Sequence, residues 1–314
     1  MHVTLEAKLS DPRQGVLLYG TTPPRSGSAD DVVRGVGVKL VERLRHVPLD
    51  GVVVYDIQDE SKRTSEQRPF AFTGTVDPRS YSRMIGELIS KPTITYKCVG
   101  LMDEPAWDAW LTESAKDYGI RFLSIVGRPV SGTGYPLALS RAIRLASEHA
   151  TRPNVGAVVI AERHSQQRSE SARMLAKGLQ GCTYFISQTV YQPHATERLL
   201  RDYARDCRGA GVEPRRVILT FSPVGREKTL AFLQWLGVRV PEETARSIFG
   251  AANPLAQSIE ICRANLQRIL ERAYNTGIPL GVNVESVSIN RDEIDASIDL
   301  AHALKEILDQ HVGR

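Results

Sequence analysis

Short apolar runs rich in Val and Ile alternate along the whole chain with segments whose apolar residues recur at helical spacing. The runs occupy residues 15–20, 51–56, 93–99, 121–126, 156–161, 183–188, 217–221 and 280–284. Near-continuous apolar stretches of this length predict strands buried on both faces, as in a parallel sheet covered by helices. The intervening segments carry helix punctuation. In 103–118, Asp103 or Glu104 can accept from the first amides, Pro105 sits in the first turn and Gly119 stops the helix. Residues 193–208 place Leu199, Leu200, Tyr203 and Cys207 on one face, and 291–311 does the same with Ile294, Ile298, Ala301, Leu304 and Leu308. Eight such units predict an α/β fold, a single (β/α)8 TIM-type barrel, with a doubly wound sheet as runner-up. The expected layout is one domain over 1–314, with a pre-barrel segment at 1–14 and the barrel at 15–312. A long second loop is expected at 58–77, and an extra helix pair after the seventh strand at 230–275.

Composition narrows the function classes. Among 314 residues, 40 Lys and Arg face 36 Asp and Glu, a net charge of only +4, which argues against nucleic acid as partner. The basic residues Arg13, Arg25, Arg34, Lys39, Arg43 and Arg45 alternate with acids and lack interleaved aromatics, the pattern of a solvated helix face. No apolar stretch is long enough for a membrane span and the start lacks a leader pattern, so a cytoplasmic protein is expected. Cys98, Cys182, Cys207 and Cys262 show no metal-ligand spacing and are expected to be buried thiols. The chain is compatible with a homo-oligomer.

Chemistry in such a barrel gathers where strands end. Gly35-Val36-Gly37 resembles a dinucleotide fingerprint but falls inside a helical segment, where the required strand-to-helix turn is missing. Glu162 with His164 follows the fifth strand, either an acid/base pair, part of a metal ligand set or a solvated loop. Asp56 and Glu285 end the second and eighth strands. Gln188 closes the sixth strand just before Tyr191 and presents an amide with both donors and an acceptor. Lys177 stands eleven residues earlier, near a helix C-terminus, where Lys is often only a dipole partner.

The stretch 175–193 (LAKGLQGCTYFISQTVYQP) resembles the methylenetetrahydrofolate reductases in its Lys, Gly-containing turn and apolar strand ending in Gln and an aromatic residue. In order, 21–25 (TTPPR), 52–55, 94–100 (ITYKCVG), 119–129 (GIRFLSIVGRP) and 217–235 are similar to further strands of that family. The likeness is to its short, catalytic-domain-only type. The resemblance implies a barrel holding FAD that relays a hydride between NAD(P)H and a folate-bound one-carbon unit, converting 5,10-methylene- to 5-methyltetrahydrofolate or the reverse. Some family members dispense with flavin. It further implies cofactor contacts at Lys177, Gly127, Tyr55, Ala161 and His164, and a tetrahydrofolate derivative at Gln188, Arg128 and Tyr191. The family's usual first-strand Glu falls at Gly20, and its Asp at Arg128. The acid is therefore expected at Glu285, which follows the strand neighbouring the first, with Glu162 and Asp56 behind it. The alternatives are a non-catalytic folate- or flavin-binding barrel or partner subunit, and a barrel enzyme of other chemistry built on Glu162, His164 and Glu285.

Overall fold

The computed structural model describes residues 3–59, 65–127, 136–165, 167 and 169–312. Eight parallel strands, in chain order, close on themselves: β1 (Leu17–Thr21), β2 (Gly51–Val54), β3 (Thr93–Cys98), β4 (Phe122–Val126), β5 (Asn154–Val159), β6 (Tyr184–Thr189), β7 (Arg216–Phe221) and β8 (Leu280–Glu285). Each lies within two residues of its expected position. Pairing of β1 with β8 completes the (β/α)8 barrel, with Leu18 beside Asn283 and Gly20 beside Glu285.

The helices are α1 (Leu5–Ser10), α2 (Asp30–Leu44), α3 (Pro78–Ile89), α4 (Glu104–Lys116), α5 (Leu139–Glu148), α6 (Glu170–Leu179), α7 (Pro193–Gly209), α8 (Glu227–Trp235), α9 (Glu242–Gly250), α10 (Pro254–Ala273) and α11 (Arg291–Val312). Side-chain caps start several of them. Asp103 accepts from the Ala106 amide at 2.9 Å, Asp77 from Arg79 at 2.8 Å and Ser169 from Ala172 at 3.1 Å. Between β7 and β8 the chain places three helices where a pair was expected, because α8 and α9 precede the long α10 that packs on α7 and α11. Gly35-Val36-Gly37 is helical, within α2, and Gly37 serves packing: a Cβ there would lie 2.7 Å from the Met84 side chain of α3.

Period two divides the burial into two cores. Outward strand residues such as Val52, Val54, Val282 and Val284 pack under the helices, whereas Leu18, Val53, Ile94, Phe122, Tyr184, Ile186 and Ile218 fill the barrel interior. Leu5 and Leu9 of α1 plug the lower end of that interior. Beneath it the buried Arg216 guanidinium donates to the carbonyls of Leu9 (3.2 Å), Asp11 (2.5 Å) and Leu280 (2.7 Å), tying α1 to the barrel. Among the described residues no helix is long and apolar enough to cross a membrane.

Candidate functional site

At the C-terminal ends of the strands lies a cavity of about 630 Å³, a size that suits one small ligand. Its floor is the top layer of inward-facing strand residues. Asn283 and Glu285 continue the inward parity of β8, so the Glu285 carboxyl enters the cavity and does not turn out to the helices. The Tyr55 ring, edge-on to Tyr96 at 4.9 Å between centroids, covers Gly20. A Cβ at residue 20 would stand only 2.7 Å from the Tyr55 hydroxyl oxygen. Thus the space beside residue 20, where a first-strand Glu was expected by resemblance, is filled by an aromatic ring from the next strand.

Glu285 is half-buried, and it lines the cavity. Burial pushes its carboxyl above the ordinary carboxylate range, while hydrogen bonds from Tyr55 and Thr189 pull it down; the Thr189 hydroxyl lies 3.1 Å from Oε1. The same burial drives the Tyr55 phenol well above its usual range, helped by the Glu285 charge. Asn283 Nδ2 donates to the Tyr55 hydroxyl at 3.0 Å and lies 3.3 Å from Thr220 Oγ1. The result is a rigid polar floor whose carboxyl is biased toward the neutral, proton-bearing form.

Gln188 reaches the cavity because β6 is irregular: its pairing with β7 shifts register between Ile186 and Thr189. The bulge lets Ser187, Gln188 and Thr189 all line the cavity, where strict alternation would turn one of them outward. Gln188 Nε2 donates to the Leu236 carbonyl at the end of α8 at 2.8 Å. Reversing the amide would set two acceptors against each other, so that bond fixes its orientation. The opposite end, Oε1, is buried without a protein partner. Unsatisfied buried acceptors are costly, and this one is enclosed by protein at the cavity wall.

The wall above β5 comes from α6. Lys177 Nζ donates to the Val158 carbonyl at 2.8 Å, and burial lowers its pKa against the pull of the nearby Glu170. Glu170, Arg173 and Arg163 line the same arm, with Arg173 3.5 Å from the buried Glu170 carboxylate. Leu139, Val158, Ile160, Leu233, Leu236 and Val238 form an apolar stretch of the lining. Asp56 also lines the cavity, but both its oxygens are engaged: one accepts from the Cys98 amide at 2.9 Å and the other from Gln58 at 2.7 Å. Gly127 borders the cavity, and Cys98 does too, half-buried with its thiol donating to the Gly127 carbonyl at 3.3 Å. Cys98 thus departs from the expected burial, which Cys182, Cys207 and Cys262 follow.

Four expected site residues lie outside this lining. Tyr191 is buried, donates to the Ser222 carbonyl at 2.7 Å and meets Ser258, so it braces the shell around β7. Ala161 belongs to the core behind the strands. His164 is buried and its Nε2 pairs with Asp202 of α7 at 2.8 Å, which fixes the turn after β5 to a helix. Burial raises the pKa of Glu162, on that turn, opposed by its own backbone amide and then by Arg239. Arg128 lies outside the described residues. Sequence periodicity, conversely, gave no sign of Thr189, Asn283, Glu170 or Arg173. The first depends on the bulge, the second reads as one more strand residue, and the last two lie on a helix face whose cavity contact only the barrel's curvature creates.

No family model matches the chain, and no curated protein does. Among solved structures, an uncharacterized protein from Clostridium thermocellum that binds two copies of 5-methyl-5,6,7,8-tetrahydrofolic acid is 30% identical, with a TM-score of 0.81, covering 96% of this chain and 99% of that one. Dihydropteroate synthase from Xanthomonas albilineans (13% identity, TM-score 0.47, 96% of each chain) and N-(5'-phosphoribosyl)anthranilate isomerase from Pyrococcus furiosus (12% identity, TM-score 0.47, 93% of this chain and 100% of that one) are far more distant. With this identity over nearly the full length of both chains, the protein belongs to the same family as the Clostridium thermocellum protein.

Proposed function

We propose that the cavity binds a reduced folate of the 5-methyltetrahydrofolate class and that Glu285 handles a proton on its pteridine ring. The single observation that carries the reading is the meeting of the fixed Gln188 side chain and the half-buried Glu285 carboxyl in the lining of one cavity. The 2-amino-4-oxo edge of a pterin offers N–H donors to such acceptors. The folate bound by the related Clostridium thermocellum protein supports the same choice of ligand.

A second reading adds hydride transfer from NAD(P)H to the folate-bound carbon, and Glu285 favours it. In 5,10-methylenetetrahydrofolate, protonation of N10 breaks its bond to the bridging carbon and leaves an N5 iminium. A hydride from the nicotinamide then gives the 5-methyl product and the oxidised nicotinamide. A carboxylic acid whose pKa burial raises is suited to that first step. Thr189 and Tyr55, both donors to Glu285, hold its orientation.

The residues do not fit a flavin dinucleotide. Its diphosphate would have to lie beside Lys177, yet the buried Glu170 carboxylate occupies the same arm. Ala161 and His164, the other expected flavin contacts, are committed to the core and to Asp202. No step is assigned to flavin. Calorimetric titration of 5-methyltetrahydrofolate into wild type and Gln188→Met tests the binding reading. Binding by wild type, weakened about tenfold in the variant, is expected from the loss of one well-placed acceptor; no heat or saturation with wild type would reject it. NAD(P)H oxidation dependent on methylenetetrahydrofolate, suppressed in Glu285→Gln, is the result the second reading requires.

A further inference from the structure

The α6 arm of the cavity has chemistry that the pterin end does not use. Lys177, Arg173 and Arg163 bring three cationic groups to one end of the cavity, against the one carboxylate of Glu170. They are mutual electrostatic neighbours: the Lys177 ammonium is raised in affinity for its proton by Glu170 and lowered by Arg173 and Arg163. Lys177 has three N–H donors, and one goes to the Val158 carbonyl. Arg173 keeps about half its side chain exposed, 45%, while Glu170 is 4% exposed beneath it. The cluster is thus a cationic rim over a buried acid, with Arg173 and Lys177 at the cavity wall.

Position matters as much as charge. Lys177 is anchored on β5 and Glu285 ends β8, three strand spacings apart, or about 14 Å along the barrel wall. Apolar residues line the cavity as well. An occupant that satisfies the whole cavity therefore has a donor-bearing head, an apolar middle and an anionic tail. The buried Glu170 sets the kind of anion. A dianionic phosphate group would repel it strongly at short range in a low-dielectric wall, whereas singly charged carboxylates can share the three cations with it.

Resting on the folate reading, we infer that the α6 arm, with Arg173 and Lys177 as its principal donors, is a carboxylate site for the glutamyl tail of the bound folate. The tail's carboxylates would take charge-assisted hydrogen bonds from the guanidinium and the ammonium, a stronger class than neutral contacts. The arm then discriminates between folates that carry glutamate and those that lack it, and it does so at the opposite end of the ligand from the reacting ring.

The test compares 5-methyltetrahydrofolate with 5-methyltetrahydropteroate, which has the same ring and lacks glutamate, by calorimetry on wild type, Arg173→Gln and Lys177→Met. Wild type should bind the glutamate-bearing compound on the order of tenfold or more tightly. That preference should shrink in Arg173→Gln, whose half-exposed side chain can change without disturbing the fold, and in Lys177→Met if that protein folds. Equal affinity of wild type for the two compounds, or a preference unchanged in Arg173→Gln, would overturn the tail assignment and leave the folate reading standing. Binding of neither compound would instead remove the folate reading, and the tail site with it. Tight binding of ADP that is lost in Arg173→Gln would identify a phosphate site and overturn the carboxylate assignment.

Discussion

Gly20→Ala is the most economical probe of the site floor. A Cβ at this position would lie 2.7 Å from the Tyr55 hydroxyl oxygen and 2.9 Å from Cε2. Ordinary non-bonded contacts need about 3.5–4.0 Å, so the ring must retreat by about 0.6–0.8 Å or more. It has little room to do so, since Tyr96 stands edge-on at 4.9 Å and Asn283 holds the hydroxyl at 3.0 Å. Replacing Gly by Ala at an unstrained site gains about 0.4–1 kcal/mol from the unfolded chain, whereas overpacking a fixed core costs about 1–3 kcal/mol. The net loss, about 1.3 kcal/mol at the centre of these ranges, should lower the urea midpoint by about 0.4 M, and by at most about 0.9 M, for a denaturant slope near 3 kcal/mol per M. Tyr55→Leu removes the clashing atoms, so Gly20→Ala in that background should cost less, with a coupling energy of about 1 kcal/mol or more. A wild-type midpoint for Gly20→Ala, or the same cost in both backgrounds, would refute this account of the floor. The same geometry leaves no space for Glu at residue 20, so Gly20→Glu should not restore an acid lost in Glu285→Gln.

Three further outcomes follow from buried charge. Because burial raises the Glu285 pKa in the folded state, its ionisation opposes folding. The contribution of neutral Glu285 is fully present below the unfolded carboxyl value and is lost as pH rises through the folded one. Glu285→Gln should therefore gain stability relative to wild type on going from pH 4 to pH 8, measured by urea unfolding; a difference that stays constant or falls would contradict it. Glu293 behaves oppositely: burial raises its pKa, but hydrogen bonds from Ser288, Asn290, the Gly225 amide and Thr229 lower it on balance. Its stabilisation is present above the unfolded value and lost as pH falls through the folded one, so Glu293→Ala should cost about 3–5 kcal/mol near pH 7 and progressively less in acid. Arg216, whose pKa burial lowers to about 10, stays charged at neutral pH and joins α1 to β7 and β8. Arg216→Ala should increase hydrogen exchange across residues 5–10, and wild-type protection there would show that α1 docks without it.

The sequence by itself determined the architecture. Eight apolar runs at regular intervals leave a chain no way to bury its strands except under a full shell of helices, and the strand positions follow to within two residues. It also placed Asp56, Lys177, Gln188 and Glu285 near the mouth, because strand ends and their flanking helices are legible in the hydrophobic pattern. What a side chain does there depended on partners distant in the chain, which periodicity does not encode. Asp56 became a brace because the Cys98 amide is within reach, and Tyr191 a packing residue because Ser222 and Ser258 surround its hydroxyl. Gln188 owes its orientation to a carbonyl 48 residues away, and its entry into the cavity to a bulge with no residue signature. Only closure of the barrel set Gly20 beside Glu285 and under Tyr55, and so brought an eighth-strand carboxyl next to the first strand.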